Sequence, residues 1–197
     1  MPDEIEFPQR DPADAKAWFY LDRRADIEAW AAQRDDAAAL LGRYLRALAT
    51  PLSEMAGEVG ADVDLESLGD GKFQVMGLRR AGWTWKGVND VAVVVEWDPK
   101  TLLRPLAENE WPFAAVRYCG DRADRERFRA LQNALTPVAR RLGGRCTTPW
   151  PYWRFQKPAG GVVDPELLTR DLLASFRSLW DEAAQVLDRL HWAQAPR

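Results

Sequence analysis

The sequence predicts an α+β protein: a small antiparallel β-meander of three to four strands packed against N-terminal, central and C-terminal helices. Three observations carry this. Strand-like β-branched and aromatic runs are confined to the middle third. Long stretches with helical apolar spacing flank them, and the connections between the strand-like runs are short enough for antiparallel pairing. Six of the ten tryptophans (Trp83, Trp85, Trp97, Trp111, Trp150 and Trp153) fall in that same middle region.

Residues 1–14 show no apolar period and read as an extended lead-in to a single domain over residues 15–197. A helix is predicted from Asp22 to Ala49, where Ile27, Trp30, Leu41, Leu45 and Leu48 recur on one face of an Ala-rich segment. Thr50-Pro51 marks a stop and restart, followed by a short helix to Val59 that Gly57 and Gly60 end. Six acids and no base lie between residues 54 and 70.

Strands are predicted at Lys72–Arg80, Asp90–Trp97 and Trp111–Cys119. The Val-Ala-Val-Val-Val run in the second points to a strand covered on both faces. A helix over Arg122–Leu142 carries Phe128, Leu131, Leu135, Val138 and Leu142 at spacings of three and four. Pro137 should kink or break it, and Gly143-Gly144 should end it. Trp150–Phe155 reads as an edge-like fourth strand, because Pro149 and Pro151 argue against a central position. Asp164-Pro165 is a helix start, and the stripe Leu168, Leu172, Phe176, Leu179, Ala183, Val186 and Leu190 predicts a long final helix. Val93, Val95, Phe128, Leu131, Leu135, Phe176 and Leu179 are expected to share one core.

Composition narrows the class. A length of 197 residues, with 47% hydrophobic and 29% charged content, suits an ordinary globular domain. No run approaches the roughly 18 apolar residues of a membrane span, so no membrane partner is expected. The acidic, Pro-containing start is unlike a secretory signal, and Cys119 and Cys146 are the only cysteines. Reduced thiols and a cytoplasmic setting follow as expectations. The 22 arginines against 5 lysines match the coding bias of GC-rich bacterial genes. The formal charge of −3 advertises neither nucleic acid nor an anionic surface as a partner.

The charge is nevertheless segregated. Residues 117–145 hold eight arginines against three acids, a net +5. On a helical wheel Arg122, Arg129 and Arg140 project away from the Phe128–Leu142 stripe, with Gln132, Asn133 and Thr136 between them. Such a face is able to track phosphates without catalysis. A solvated face paired with acids one turn away would produce the same pattern.

Trp83, Trp85, Trp150 and Trp153, with Arg154 beside them, form the densest aromatic set. They would line a groove for a macromolecule or seal a sheet–helix interface. Asp98-Pro99-Lys100 at the exit of the Val-rich strand offers an alternative. With Asp70 and Glu96 it would make a Mg²⁺-dependent nuclease of restriction-endonuclease type, the carboxylates holding the metal and Lys100 positioning the attacking water. Pro99 cannot pair in a sheet, and acid-x-Lys triplets arise by chance in a chain this charged. The sole histidine, His191, limits His-based chemistry to one position. No zinc, phosphate-loop or nucleophile-elbow pattern is present, and no cofactor is expected. The leading expectation is therefore a non-enzymatic module that binds a partner, most simply a protein, through a Trp-rich sheet edge and segregated charge, with nucleic acid as the other candidate.

Overall fold

The structure, a computed structural model, describes residues 11–64, 72–105, 107, 109–121, 123–158, 160 and 162–192. Its architecture is α+β, as the sequence predicts. The chain divides into two compact units, residues 1–37 and 38–197.

In the first unit a 3-10 turn, Pro12–Asp14, leads into α1 (Ala15–Asp22) and the start of α2 (Arg24–Arg46). Asp11 caps the turn by accepting from the Ala13 N–H at 2.8 Å. The helix expected over Asp22–Ala49 is thus α2, and α1, which the sequence pattern did not predict, precedes it across a break at Arg23. Phe19, Leu21 and Trp30 are exposed here, and the Tyr20 hydroxyl donates to Glu28.

In the second unit α2 continues through Leu41 and Leu45, both fully buried, into α3 (Ala49–Val59). Gly60, left-handed at φ 62°, caps α3. Six strands follow: β1 (Asp62–Asp64), β2 (Gln74–Arg79), β5 (Val91–Trp97), β6 (Phe113–Tyr118), β7 (Arg145–Thr147) and β8 (Trp150–Phe155). They pair antiparallel in the order β1-β2-β5-β6-β8-β7. The sheet is therefore larger than the expected three to four strands. The short β1 and β7 lack a run long enough to be read from sequence.

Between β2 and β5 the chain folds a separate two-stranded hairpin, β3 (Thr84–Trp85) and β4 (Val88–Asn89). Its turn residues Lys86 and Gly87 both take positive φ, 52° and 80°, as a tight hairpin turn requires. The Asp90 N–H closes the insertion onto the Trp83 carbonyl at 2.9 Å.

The expected edge position of Trp150–Phe155 is a correction. β8 lies between β6 and β7, and β7 forms the edge. Pro151 is tolerated because the β7–β8 ladder is irregular between Arg145 and Thr147, so no cross-strand bond is asked of it. Of the kink or break expected at Pro137, the break does not occur: α4 (Arg125–Leu142) runs through it, with Pro137 on its exposed side.

α4 and α5 (Pro165–Trp192) pack on each other, α5 over β5 and β6 and α4 over β8. Asp164 caps α5, accepting from the N–H groups of Glu166 and Leu167 at 2.9 and 3.2 Å. The helix-facing side of the sheet (Leu78, Val91, Val93, Val95, Trp97 and Val116) shares the main core with Leu131, Leu135, Phe176 and Leu179. The opposite side buries Phe73, Val75, Ala92, Val94, Phe113 and Ala115. Every residue of β5 is buried, as its β-branched run predicts. Gly77 permits the close β2–β5 approach, because a Cβ there would meet the Val93 carbonyl oxygen at 2.3 Å. Among the described residues no helix is long and apolar enough to cross a membrane.

One expected core residue is displaced. Phe128 is only partly buried, and Arg127 takes the neighbouring core-facing position at 2% exposure.

Candidate functional site

The four singled-out tryptophans do not gather on one surface. Trp83 is buried in the main core, its ring 5.3 Å from that of Trp180 and its N–H donated to Asp188 Oδ1 at 2.8 Å. Trp85, on the hairpin, donates to Asp124 Oδ2 at 3.1 Å and lies over the Arg127 guanidinium at 4.6 Å. Trp150 and Trp153 belong to the opposite face of the sheet. There they pack edge-on against Phe113, with centroids at 5.4 and 6.1 Å. Trp150 donates to Glu96 Oε1 at 2.9 Å. Arg154 donates to the Leu142 carbonyl at 2.8 Å and so satisfies the open C-terminal end of α4. These contacts hold elements together; only Trp85, Trp150 and Trp153 retain partial exposure.

The acid-x-Lys residues are also engaged. Glu96 is fully buried and takes Arg117 Nη1 on Oε2 at 2.8 Å, while Trp150 occupies Oε1. Asp98, 1% exposed, accepts from the Lys100 backbone N–H at 2.9 Å and so stabilises the turn that leaves β5. Lys72 approaches it at 3.9 Å. Lys100 is exposed, and Asp70 lies outside the described residues. Among the described residues no three acidic, His or Cys side chains cluster to hold a metal.

The arginine face has a different outcome. Arg129 and Arg140 are exposed on α4; Arg122 lies outside the described residues. Two adjoining cavities, of about 420 and 430 Å³, follow this side of the helix and share Gln132. Tyr118, Arg125, Phe128, Arg129 and Thr148 complete the first. Asn133, Thr136, Arg140, Arg145 and Cys146 contribute to the second, which opens between α4 and β7. No acidic side chain lines either cavity among the described residues. Arg141, one residue away, pairs with Glu182 on α5, and Glu58 of the acidic segment pairs with Arg177. Arg125, Arg129, Arg140 and Arg145 have no such partner among the described residues.

Neutral polar groups fill the space between the arginines. Gln132 donates to Cys146 Sγ at 2.5 Å, and the Thr136 hydroxyl donates back to the Gln132 carbonyl at 2.9 Å. Burial raises the Cys146 thiol above its ordinary pKa despite the hydrogen bond from Gln132. The Phe128 ring stands against Tyr118, centroids 5.8 Å apart and inclined at 57°.

A further cluster escaped the sequence reading. Asp90, Arg127 and His191 meet where β5, α4 and α5 converge, and all three are buried. Arg127 donates to Asp90 Oδ2 from Nε at 2.8 Å and also from Nη2. His191 Nδ1 lies 2.7 Å from the Leu187 carbonyl, which only accepts, so Nδ1 carries hydrogen. The neutral ring then offers the Nε2 lone pair to Arg127 Nη2 at 2.7 Å, whereas a protonated ring donates to Asp90 at 2.8 Å. A charged residue in register with the stripe Leu131, Leu135 and Val138 was the available signal for Arg127. Nothing in the sequence links it to a histidine 64 positions later.

No family model, curated protein or solved structure matches this chain.

Proposed function

We propose that this chain is a non-enzymatic binding module that takes a polyanionic macromolecular partner in the groove between α4 and β7. One observation carries the reading: four arginines without acidic partners line two adjoining cavities that hold no carboxylate among the described residues. In a chain whose overall charge is −3, this local field is positive where the surface is concave, which concentrates an anionic ligand. The Trp-bearing part of the sheet contributes support from behind: Arg145 lies 5.9 Å from the Trp153 ring, which fixes one wall of the groove. The two cysteines are unpaired, in keeping with a reducing, cytoplasmic setting.

The test uses heparin as a generic polyanion. Binding measured by calorimetry at low and physiological salt should weaken steeply as salt rises. The Arg129→Ala/Arg140→Ala double variant should lose most of the affinity with an unchanged melting temperature. Equal binding by wild type and variant would overturn the assignment of this groove.

A further inference from the structure

The geometry points to a single-stranded nucleic acid as the occupant of this groove, with a base seated against Phe128 and its phosphates running along Arg129, Arg140 and Arg145. This rests on the polyanion reading above and adds a chemical class to it.

Two independent features argue for a nucleotide strand over an acidic peptide. The first is the place of Phe128. The helical stripe would bury this ring, yet the buried position goes to Arg127, drawn inward by Asp90. Phe128 is left lining the first cavity, where Tyr118 backs it and Arg125 and Arg129 flank it. A carboxylate side chain gains nothing from an aromatic wall, whereas a base stacks on it while an adjacent arginine meets its phosphate. The cavity, about 420 Å³, falls in the range of roughly 300–1,000 Å³ that small organic groups occupy.

The second feature is the spacing. Arg125 and Arg140 are fifteen residues apart on one helix, about 22 Å at the helical rise. Between them Gln132, Asn133 and Thr136 present neutral donors and acceptors, the groups that read sugars and base edges. The length suits a strand of several nucleotides, as in other single-strand grooves of about 4–16 nucleotides. A duplex does not fit this arrangement. α4 is packed on α5 and β8 and flanked by β7, so it does not stand clear to enter a major groove. Single strands, whose bases are free to splay, suit a recessed groove.

The experiment is fluorescence anisotropy with a labelled 12-nucleotide oligo(dT) and oligo(U), in parallel with heparin and with a 12-base-pair duplex. Wild type should bind the single strands at low salt and prefer them to the duplex by tenfold or more. Phe128→Leu should weaken single-strand binding by about fivefold or more, with heparin affinity unchanged, and Phe128→Trp should restore it. Arg129→Ala/Arg140→Ala should lower the slope of log affinity against log salt by about two. Heparin binding without single-strand binding, or single-strand binding indifferent to Phe128→Leu in a variant that melts as wild type, would overturn the nucleic-acid assignment while the polyanion reading stands. Failure of heparin and oligonucleotides alike would overturn both.

Discussion

Arg127 on α4 directs two hydrogen bonds at one oxygen of Asp90: Nε donates to Oδ2 at 2.8 Å, and Nη2 donates to the same atom. The other oxygen, Oδ1, is buried with no hydrogen-bond partner. Both residues are almost wholly buried, and the Trp85 ring covers the guanidinium at 4.6 Å. Removing Arg127 strips the buried Asp90 carboxylate of both guanidinium hydrogen bonds and leaves it beside His191. Arg127→Leu should therefore destabilise by about 3–5 kcal/mol. Asp90→Asn combined with Arg127→Leu should cost clearly less than the two single losses added, a double-mutant coupling that urea denaturation measures. Strict additivity would mean that the pair contributes no interaction of its own.

Tyr118 and Cys119, side by side at the end of β6, set the alkaline limit. Burial pushes the Tyr118 hydroxyl up to about 12, aided by the carboxylates of Asp90 and Asp124. Burial likewise pushes the Cys119 thiol up to about 12. The folded protein keeps protons that the unfolded chain releases near pH 9 for the thiol and pH 10 for the phenol. Their contribution to stability is thus whole below pH 9 and is lost as pH rises towards 12. Melting temperature should fall across that window and fall less in Cys119→Ala. At pH 8 iodoacetamide should modify exposed Cys146 and spare Cys119, which mass spectrometry resolves.

Asp124 sets the acid side. Its Oδ1 accepts from the Arg127 backbone N–H at 3.0 Å, while Oδ2 accepts from Lys86 Nζ at 3.0 Å and Trp85 Nε1 at 3.1 Å. That backbone bond first, and the two side-chain donors after it, hold the carboxyl at about 2, below its ordinary 3.8. Stability from this source is present above pH 4 and lost as pH falls towards 2. Asp124→Ala should flatten the acid limb, lower the melting temperature at neutral pH and loosen the β3–β4 hairpin, seen as faster amide exchange at Trp85.

The parts of the fold that were legible in the sequence are those with a local cause. The β-branched run of β5, the Asp164-Pro165 start of α5 and the stop at Gly143 each rest on propensity or capping within a few residues. The misread parts depend on distant partners. Pro151 sits inside the sheet where β8 carries one more residue than β7 between their paired positions, and that irregularity is a property of the pairing. Phe128 and Arg127 exchange expected roles because Asp90, 37 residues earlier, draws the guanidinium inward. The groove was half legible: the wheel placed Arg129, Gln132, Thr136 and Arg140 on one side of α4. Arg145 and Cys146 join it only through the β7–β8 return. The contacts of the aromatic set were not legible, because indole spacing in sequence does not reveal that Trp83 finds Asp188 and Trp150 finds Glu96.

The contrast between two phenylalanines makes the last test. Phe176 on α5 has no exposed surface and belongs to the main core, where a truncated side chain leaves a cavity in close-packed surroundings. Phe176→Ala should cost about 3–5 kcal/mol. Phe128 lies on the margin of the same core, with part of its ring on the groove. Water already reaches that side, so less apolar area is lost and no closed void forms. Phe128→Ala should cost roughly 1–2 kcal/mol, in proportion to the smaller area withdrawn from water. Chemical denaturation of the two variants under one buffer decides the matter. Equal losses would place Phe128 inside the core after all, and the groove would then lack its aromatic wall.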